Sequence, residues 1–213
     1  VYGRTGNRSR ARLEERMSRC EGGVGAWAAA AGTSAIFSTI VKLAKQGDEI
    51  VSANNLYGGT FTLFNDIRPQ FGITTRFVKP QDFDKMEAAV NGRTRALYVE
   101  AIGNPALDVA DLDAVSAIAK RHGLPLVVDA TFATPYLLRP FAHGADIVVH
   151  SLPKWLGGTA RLSAASPWTA AHFTGRTAAS LCSSSTMPAI ITCDGDMICR
   201  KGLRPSSSDR RWS

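Results

Sequence analysis

A lysine that follows an apolar run is the first candidate for chemistry. Lys154 comes after ADIVVHS, and its neighbours in HSLPKWLGG are aromatic or apolar. An amine in apolar surroundings is more readily deprotonated and can then form a Schiff base with an aldehyde. The alternative is an ordinary surface lysine in a loop, and this residue alone does not decide between the two.

A carboxylate ends another apolar run, at Asp129 in LPLVVDA. A carboxylate at the end of a buried strand needs a cation or hydrogen-bond donors as partners. It could cap a helix, bind a metal, or face the protonated nitrogen of a pyridine ring, whose capacity as an electron sink depends on that charge. An aspartate 25 residues before a lysine, each at a strand end, suits the last interpretation.

Small and aromatic residues elsewhere could bind an anion and a flat ring. Gly32 and Thr33 open a predicted helix after the run AAAA, and the free N–H groups and dipole of a helix start attract anions. Ser151 could bind the same anion, and Tyr57 in NNLYGGT could stack on a ring. Each also has a structural interpretation, as a helix start, a strand end or a cover for the core.

Other reactive patterns are absent from the sequence. The four histidines have no HxxxH or HExxH spacing, so none is assigned to a metal or to catalysis. There is no G-x-S-x-G elbow, no P-loop and no GxGxxG after a strand, which argues against hydrolase and nucleotide sites of those kinds. The four cysteines form no CxxC pair, and we therefore expect a reducing, cytoplasmic location without a zinc site or disulfides.

The net charge of +7 on 213 residues is confined to the two ends of the chain. Residues 1–20 and 159–213 each carry +4, whereas residues 21–158 carry −1. Neither basic end interleaves aromatic residues with its arginines, and so we expect no nucleic-acid partner. No stretch reaches about 18 uninterrupted apolar residues, and so we expect no membrane span.

Short apolar runs alternate with helical patterns from about residue 33 to residue 158. Continuous apolar runs suit strands buried on both faces, and the alternation predicts an α/β fold with a mostly parallel sheet and helices on both sides. In such sheets functional side chains gather at the carboxyl ends of strands, which points to Glu100, Asp129, Thr131, Ser151 and Lys154. The predicted strands are 49–53, 74–78, 95–101, 124–130 and 145–151, and the predicted helices are 34–46, 60–72 with a break near Pro69, 82–90 and 111–123.

Seven stretches together resemble the Cys/Met-metabolism family of pyridoxal-phosphate enzymes. That family includes cystathionine synthases and lyases, methionine gamma-lyase and the homoserine-ester sulfhydrylases. Agreement is nearly continuous over 1–158, and the residues in VVDATFATPYLLRP and SLPKWLGG are most similar to the O-acetylhomoserine sulfhydrylase branch. The stretches are YGRTGN (2–7), LEER (13–16), EGGVGA (21–26), NNLYGGTF (54–61), EAIGNPALDV (100–109), VVDATFATPYLLRP (127–140) and HGADIVVHSLPKWLGG (143–158).

The resemblance implies a role for each site residue. Lys154 is the Schiff-base lysine and moves protons at the α and γ carbons of the substrate, while Tyr57 stacks on the cofactor ring. Asp129 pairs with the pyridine nitrogen. The other cofactor-binding residues are Gly32, Thr33 and Ser151 at the phosphate, Thr131 beside the ring, Asn104 near cofactor and substrate, and Tyr2 and Arg4, which reach the phosphate of the neighbouring subunit.

The resemblance also implies a fold, a reaction and an assembly. The fold is the three-layer αβα large domain of fold type I pyridoxal-phosphate transferases, which resemble aspartate aminotransferase. The reaction is a γ-replacement in which O-acetylhomoserine and sulfide give homocysteine and acetate, and the assembly is a dimer of dimers. Two alternatives stay open: a cystathionine synthase, cystathionine lyase or methionine gamma-lyase, and a non-catalytic remnant or association module.

The resemblance breaks at two places. Pro153 stands where the family has threonine, which removes a hydroxyl and a backbone N–H beside the phosphate. From Thr159 the match ends, but residues 159–180 can be encoded by DNA whose neighbouring frame reads HGTAIGGVAVDGGTFHWTDGRF. We therefore predict a partial cofactor-binding domain over 1–158, without the family's N-terminal arm, and a frameshifted, poorly ordered tail over 159–213 with no predicted element.

Overall fold

A seven-stranded sheet forms the centre of the fold, in the order β1-β7-β6-β5-β4-β2-β3. The computed structural model describes residues 8–157 and 189–193. The strands are β1 Gly25–Ala29, β2 Glu49–Ala53, β3 Thr74–Val78, β4 Thr94–Glu100, β5 Leu126–Asp129, β6 Ile147–His150 and β7 Ala189–Cys193.

Five neighbouring strands, from β6 to β3, run parallel. β7 is antiparallel to both of its neighbours, β1 and β6. All residues of β2 and β6 are buried, as expected of strands that are covered on both faces. The prediction of a mostly parallel sheet is therefore confirmed.

Helices pack on both faces of this sheet. They are α1 Arg8–Glu21, α2 Gly32–Leu43, α3 Gly58–Thr62, α4 Phe83–Ala88, α5 Leu112–Arg121 and α6 Thr134–Leu137. Along β5, Val127 belongs to one apolar cluster and Val128 to another, and Val149 and Val148 of β6 divide in the same way. Successive side chains of a strand point to opposite faces, so the two clusters cover opposite faces. The first contains residues of α1 and α2 and the second residues of α4 and α5, which gives the predicted three layers.

Local signals in the sequence explain where several elements begin and end. The Asp111 side chain accepts a hydrogen bond from the N–H of Ala114 and so caps the start of α5. Past the end of the same helix the chain turns at Gly123, whose φ is 63°. After α3 the chain continues as a π-helix at Leu63–Ile67 and a 3-10 helix at Arg68–Phe71, because Pro69 lacks the N–H that an α-helix needs.

Three longer elements lie where the sequence predicts none: α1, β1 and β7. β1 reads GAWAA, and its small residues have weak strand propensity. β7 lies within 159–213, a region in which the sequence pattern placed no element. Its segment AIITC is rich in β-branched residues, which favour a strand. The other residues of 159–213 lie outside the described part of the chain.

None of the helices in the described part of the chain has both the length and the hydropathy needed to cross a bilayer. Within the same residues, no group of three or more histidine, cysteine or carboxylate side chains is placed to hold a metal ion. Cys20 is an exposed free cysteine.

Candidate active site

A pocket of about 300 Å³ opens at the carboxyl ends of β4, β5 and β6. Glu100 and Asp129 end β4 and β5 and are paired in register, and Ser151 follows β6 directly. The carboxyl ends of parallel strands meet at one edge of a sheet, which is why residues far apart in sequence gather there. The structure brings eight of the predicted site residues together around this pocket: Gly32, Thr33, Tyr57, Asn104, Asp129, Thr131, Ser151 and Lys154. Tyr2 and Arg4 lie outside the described residues.

A larger pocket, of about 520 Å³, lies at the opposite edge of the sheet, where β4 and β5 begin. Its charged side chains are engaged elsewhere. Arg95 forms an ion pair with Asp48 at 2.9 Å, and His122 contacts Glu87 at 3.1 Å. This second pocket therefore offers no unpaired reactive group of the kind found at the carboxyl edge.

The amine of Lys154 faces the ring of Tyr57 across the pocket. Its Nζ lies 4.9 Å from the centroid of that ring, and 46% of Tyr57 is exposed. Lys154 sits in the turn after β6, where its backbone N–H donates to the carbonyl of Ser151 at 3.2 Å. An amine and an aromatic face thus approach the same space from two separate segments.

Gly59 allows the Tyr57 ring to take this position. A Cβ added at Gly59 would lie 2.7 Å from Cε1 of Tyr57, closer than real Cβ contacts come. Nothing lies within 4 Å of a Cβ added at the adjacent Gly58. In the sequence both glycines belong to the motif NNLYGGTF, which does not distinguish their roles, whereas the position of the Tyr57 ring does.

Asp129 presents its carboxylate at the floor of the pocket. Its Oδ1 accepts a hydrogen bond from the N–H of Thr131 at 2.9 Å. Burial raises the pKa of Asp129, while the hydrogen bonds with Thr131 and the charges of His150 and Lys154 act in the opposite direction. A cationic ring nitrogen facing this carboxylate would stabilise its ionised form further.

Glu100 is a pocket residue that the strand-end rule indicated but to which no role was assigned. Only 5% of it is exposed, and its Oε1 accepts a hydrogen bond from the backbone N–H of Tyr57 at 2.8 Å. A second backbone hydrogen bond comes from Asn104. Burial and the neighbouring Asp129 raise the pKa of Glu100 to about 8. Its carboxyl therefore ties the segments of Tyr57 and Asn104 to the end of β4.

The start of α2 also lines the pocket. No side chain caps this helix, so the N–H groups of its first turn remain available to an anion. A Cβ added at Gly32 would lie 3.1 Å from Cβ and 3.2 Å from Oγ of Ser151, so glycine permits a close approach of α2 to Ser151. The backbone N–H of Ser151 donates to Oγ1 of Thr131 at 2.8 Å, which joins the ends of β5 and β6.

These groups fit pyridoxal phosphate in kind. Lys154 offers an amine for its aldehyde, Tyr57 an aromatic face for its ring and Asp129 a carboxylate for its ring nitrogen. The uncapped start of α2 beside Ser151 offers N–H and hydroxyl donors for a phosphate.

The family comparison agrees with this chemistry. A profile of the family described as "Cys/Met metabolism PLP-dependent enzyme" matches residues 1–166. The chain belongs to this family. The resemblance found in the sequence motifs is thereby confirmed.

Three individual proteins show which members of the family the chain is similar to. The O-acetyl-L-homoserine sulfhydrylase of Leptospira meyeri is 47% identical over 158 residues, which is 74% of this chain and 36% of that protein. The solved O-acetylhomoserine sulfhydrylase of Wolinella succinogenes is 41% identical with a TM-score of 0.66, covering 68% of this chain and 41% of the other. The solved cystathionine gamma-lyase of Lactobacillus plantarum is 32% identical with a TM-score of 0.76, covering 94% and 46%. The chain spans about a third of the length of the curated relative.

Proposed function

We propose that this chain carries the cofactor-binding part of a pyridoxal-phosphate enzyme that catalyses γ-replacement, converting O-acetylhomoserine and sulfide to homocysteine and acetate. The observation that carries the proposal is the placement of the Lys154 amine 4.9 Å from the Tyr57 ring, in the same pocket as Asp129. The similarity to two sulfhydrylases favours this substrate pair.

Each pocket residue has a defined task in this proposal. Lys154 would hold the cofactor's aldehyde, and its amine would take a proton from the α carbon and then one from the β carbon of the substrate, which allows the acetoxy group to leave the γ carbon. Tyr57 stacks on the ring, and Asp129 pairs with the ring nitrogen. Bound pyridoxal phosphate supplies the electron sink that stabilises negative charge next to the reacting carbon.

The remaining residues bind and orient. Gly32, Thr33 and Ser151 hold the phosphate through N–H and hydroxyl donors, and Thr131 lies beside the ring. Asn104 contacts cofactor and substrate from the segment that Glu100 anchors. These residues fix the cofactor so that the Lys154 amine stays within reach of the reacting carbons, which is the main contribution that positioning makes to a rate.

We also propose an assembly and a location for the protein. Tyr2 and Arg4 would reach the phosphate site of a neighbouring subunit, so the active unit would be a dimer within a dimer of dimers. A cytoplasmic location suits a chain whose cysteines form no CxxC pair.

A boundary at residue 158 is part of the same proposal. Residues 1–158 would form a partial large domain, and 159–213 would be a tail translated in a shifted frame. Sequencing the source gene tests this directly. One added base after codon 158 should restore HGTAIGGVAVDGG in frame, and a gene in which no single insertion does so would reject the shift.

The reaction is tested by presenting the full chain, loaded with pyridoxal phosphate, with competing substrates. Release of homocysteine from O-acetylhomoserine and sulfide, absent in Lys154→Ala, would support the proposal. Turnover of cystathionine or methionine instead would assign the chain to a lyase branch. The similarity to a cystathionine gamma-lyase supports this alternative. Loading without turnover of any of these substrates would identify a non-catalytic cofactor-binding chain.

A further inference from the structure

A buried acid and a buried histidine meet behind the pocket. Glu21 is the last residue of α1, and His150 is the last residue of β6. The side chains of both are completely buried, and Nε2 of His150 is hydrogen-bonded to Oε1 of Glu21 across 129 residues of sequence. Neither residue lines the pocket, and the proposed reaction uses neither of them.

This hydrogen bond is the main polar contact of both side chains within the described part of the chain. The other ring nitrogen of His150 and the other carboxylate oxygen of Glu21 have no hydrogen-bond partner there. A buried polar group that loses its partner destabilises the fold, and more so if it is charged. The pair therefore holds the end of α1 and the end of β6 firmly together.

The pair connects to the proposed cofactor site through two hydrogen bonds that run from a backbone N–H to a side-chain oxygen. Ser151 follows His150, and its N–H donates to Oγ1 of Thr131 at 2.8 Å. The N–H of Thr131 in turn donates to Oδ1 of Asp129 at 2.9 Å. Ser151 also lies where a Cβ at Gly32 would come within 3.1 Å of it, so a small displacement of the β6 end changes the phosphate end of the pocket.

A purely structural tie would need no polar pair. Well-packed apolar side chains often replace a buried ion pair with equal or greater stability. The pair lies at the end of β6, directly before Ser151, and a displacement there would move a residue of the pocket. The charge of His150 also acts on Asp129 and opposes the effect of burial on its pKa.

We propose that Glu21 and His150 are a positioning pair, which fixes the end of β6 so that Ser151, Thr131 and Asp129 stand in the arrangement that the cofactor site requires. This proposal rests on the proposed function, because only a cofactor site would require that arrangement. It assigns no contact with cofactor or substrate to either residue.

The test compares two replacements of Glu21 with a matched control in the full chain. Glu21→Leu removes the hydrogen bond, whereas Glu21→Gln keeps an acceptor oxygen and removes the charge. The control is Asp146→Asn. Asp146 is also buried, and its Oδ2 accepts from the N–H of Leu126 at 2.9 Å, but it joins β5 and β6 at their amino ends.

Two readouts separate positioning from stability. The first is the dissociation constant for pyridoxal phosphate, followed by absorbance. The second is the NMR amide signals of Thr131 and Ser151 without cofactor. We expect Glu21→Leu to weaken binding about tenfold, by analogy with the loss of outer partners at metal sites, and to shift both amide signals. Glu21→Gln should recover most of the affinity, and Asp146→Asn should lower the melting temperature but change neither readout.

Wild-type affinity in folded Glu21→Leu, or an equal loss of affinity in Asp146→Asn at the same loss of melting temperature, would overturn the proposal. If Glu21→Leu does not fold, His150→Asn breaks the same hydrogen bond and is judged by the same criteria. If the wild-type chain binds no pyridoxal phosphate, the proposed function fails, and the amide signals alone then decide whether the pair positions Ser151 and Thr131.

Discussion

Replacing Glu100 with glutamine removes a titratable group from the pocket while keeping an acceptor for the N–H of Tyr57. Burial, reinforced by Asp129, raises the pKa of Glu100 from its ordinary value of 4.5 to about 8. The folded chain therefore favours the protonated carboxyl, whereas the unfolded chain releases that proton near the ordinary value.

The sign of the effect on stability follows from this difference. The contribution of Glu100 is complete below about pH 4.5 and is lost as the pH rises to about 8, because the unfolded state releases its proton first. Each pH unit in this window lowers the free energy of unfolding by up to about 1.4 kcal/mol. Between about pH 5 and about pH 8 the loss reaches up to about 4 kcal/mol, spread over a broader range because Asp129 titrates with Glu100.

Urea unfolding at about pH 5 and about pH 8, without added cofactor, measures this difference. We expect the wild-type chain to lose more unfolding free energy across the range than Glu100→Gln. The control is Asp82→Asn. The hydrogen bond with Lys85 lowers the pKa of Asp82, so this group stays ionised in both states over this range and its loss should leave the pH dependence unchanged. Parallel curves for wild type and Glu100→Gln would refute the reasoning.

Three further substitutions test the pocket and the core. Gly59→Ala should weaken pyridoxal phosphate binding about tenfold, because its Cβ meets the Tyr57 ring, whereas Gly58→Ala should bind as wild type; equal titrations for the two variants would contradict this. Pro153→Thr should tighten binding by about 1–3 kcal/mol through the added hydroxyl and N–H, and a titration showing no gain rejects that role. Arg68→Met should raise the free energy of unfolding by about 1 kcal/mol, because the buried guanidinium has no hydrogen-bond partner among the described residues. A clearly lower melting temperature for Arg68→Met would contradict this.

The sheet and the strand-end residues could be predicted because they depend on strong local signals. Continuous apolar runs such as LPLVVD predict buried parallel strands, and the ends of those strands then place Asp129 and Lys154 at one edge. The start of α2 at Gly32 was predicted for a similar reason, since a helical pattern follows a run of small residues.

The parts that could not be predicted depend on contacts between distant segments. β1 has the small residues of GAWAA and becomes a strand because β7 and α1 pack against it. The anchoring of Tyr57 by Glu100 and the contact of Glu21 with His150 join residues 43 and 129 positions apart. Neither spacing follows a helix or strand period, so no sequence pattern indicates them.

Identifying the lysine that holds the cofactor tests the central claim most directly. The chain is loaded with pyridoxal phosphate, reduced with borohydride and digested, and the modified peptide is found by mass spectrometry. We predict that the pyridoxyl group lies on Lys154 and that Lys154→Ala shows no such label. A label spread over surface lysines, or equal labelling of Lys154→Ala, would contradict the assignment of this pocket as the cofactor site.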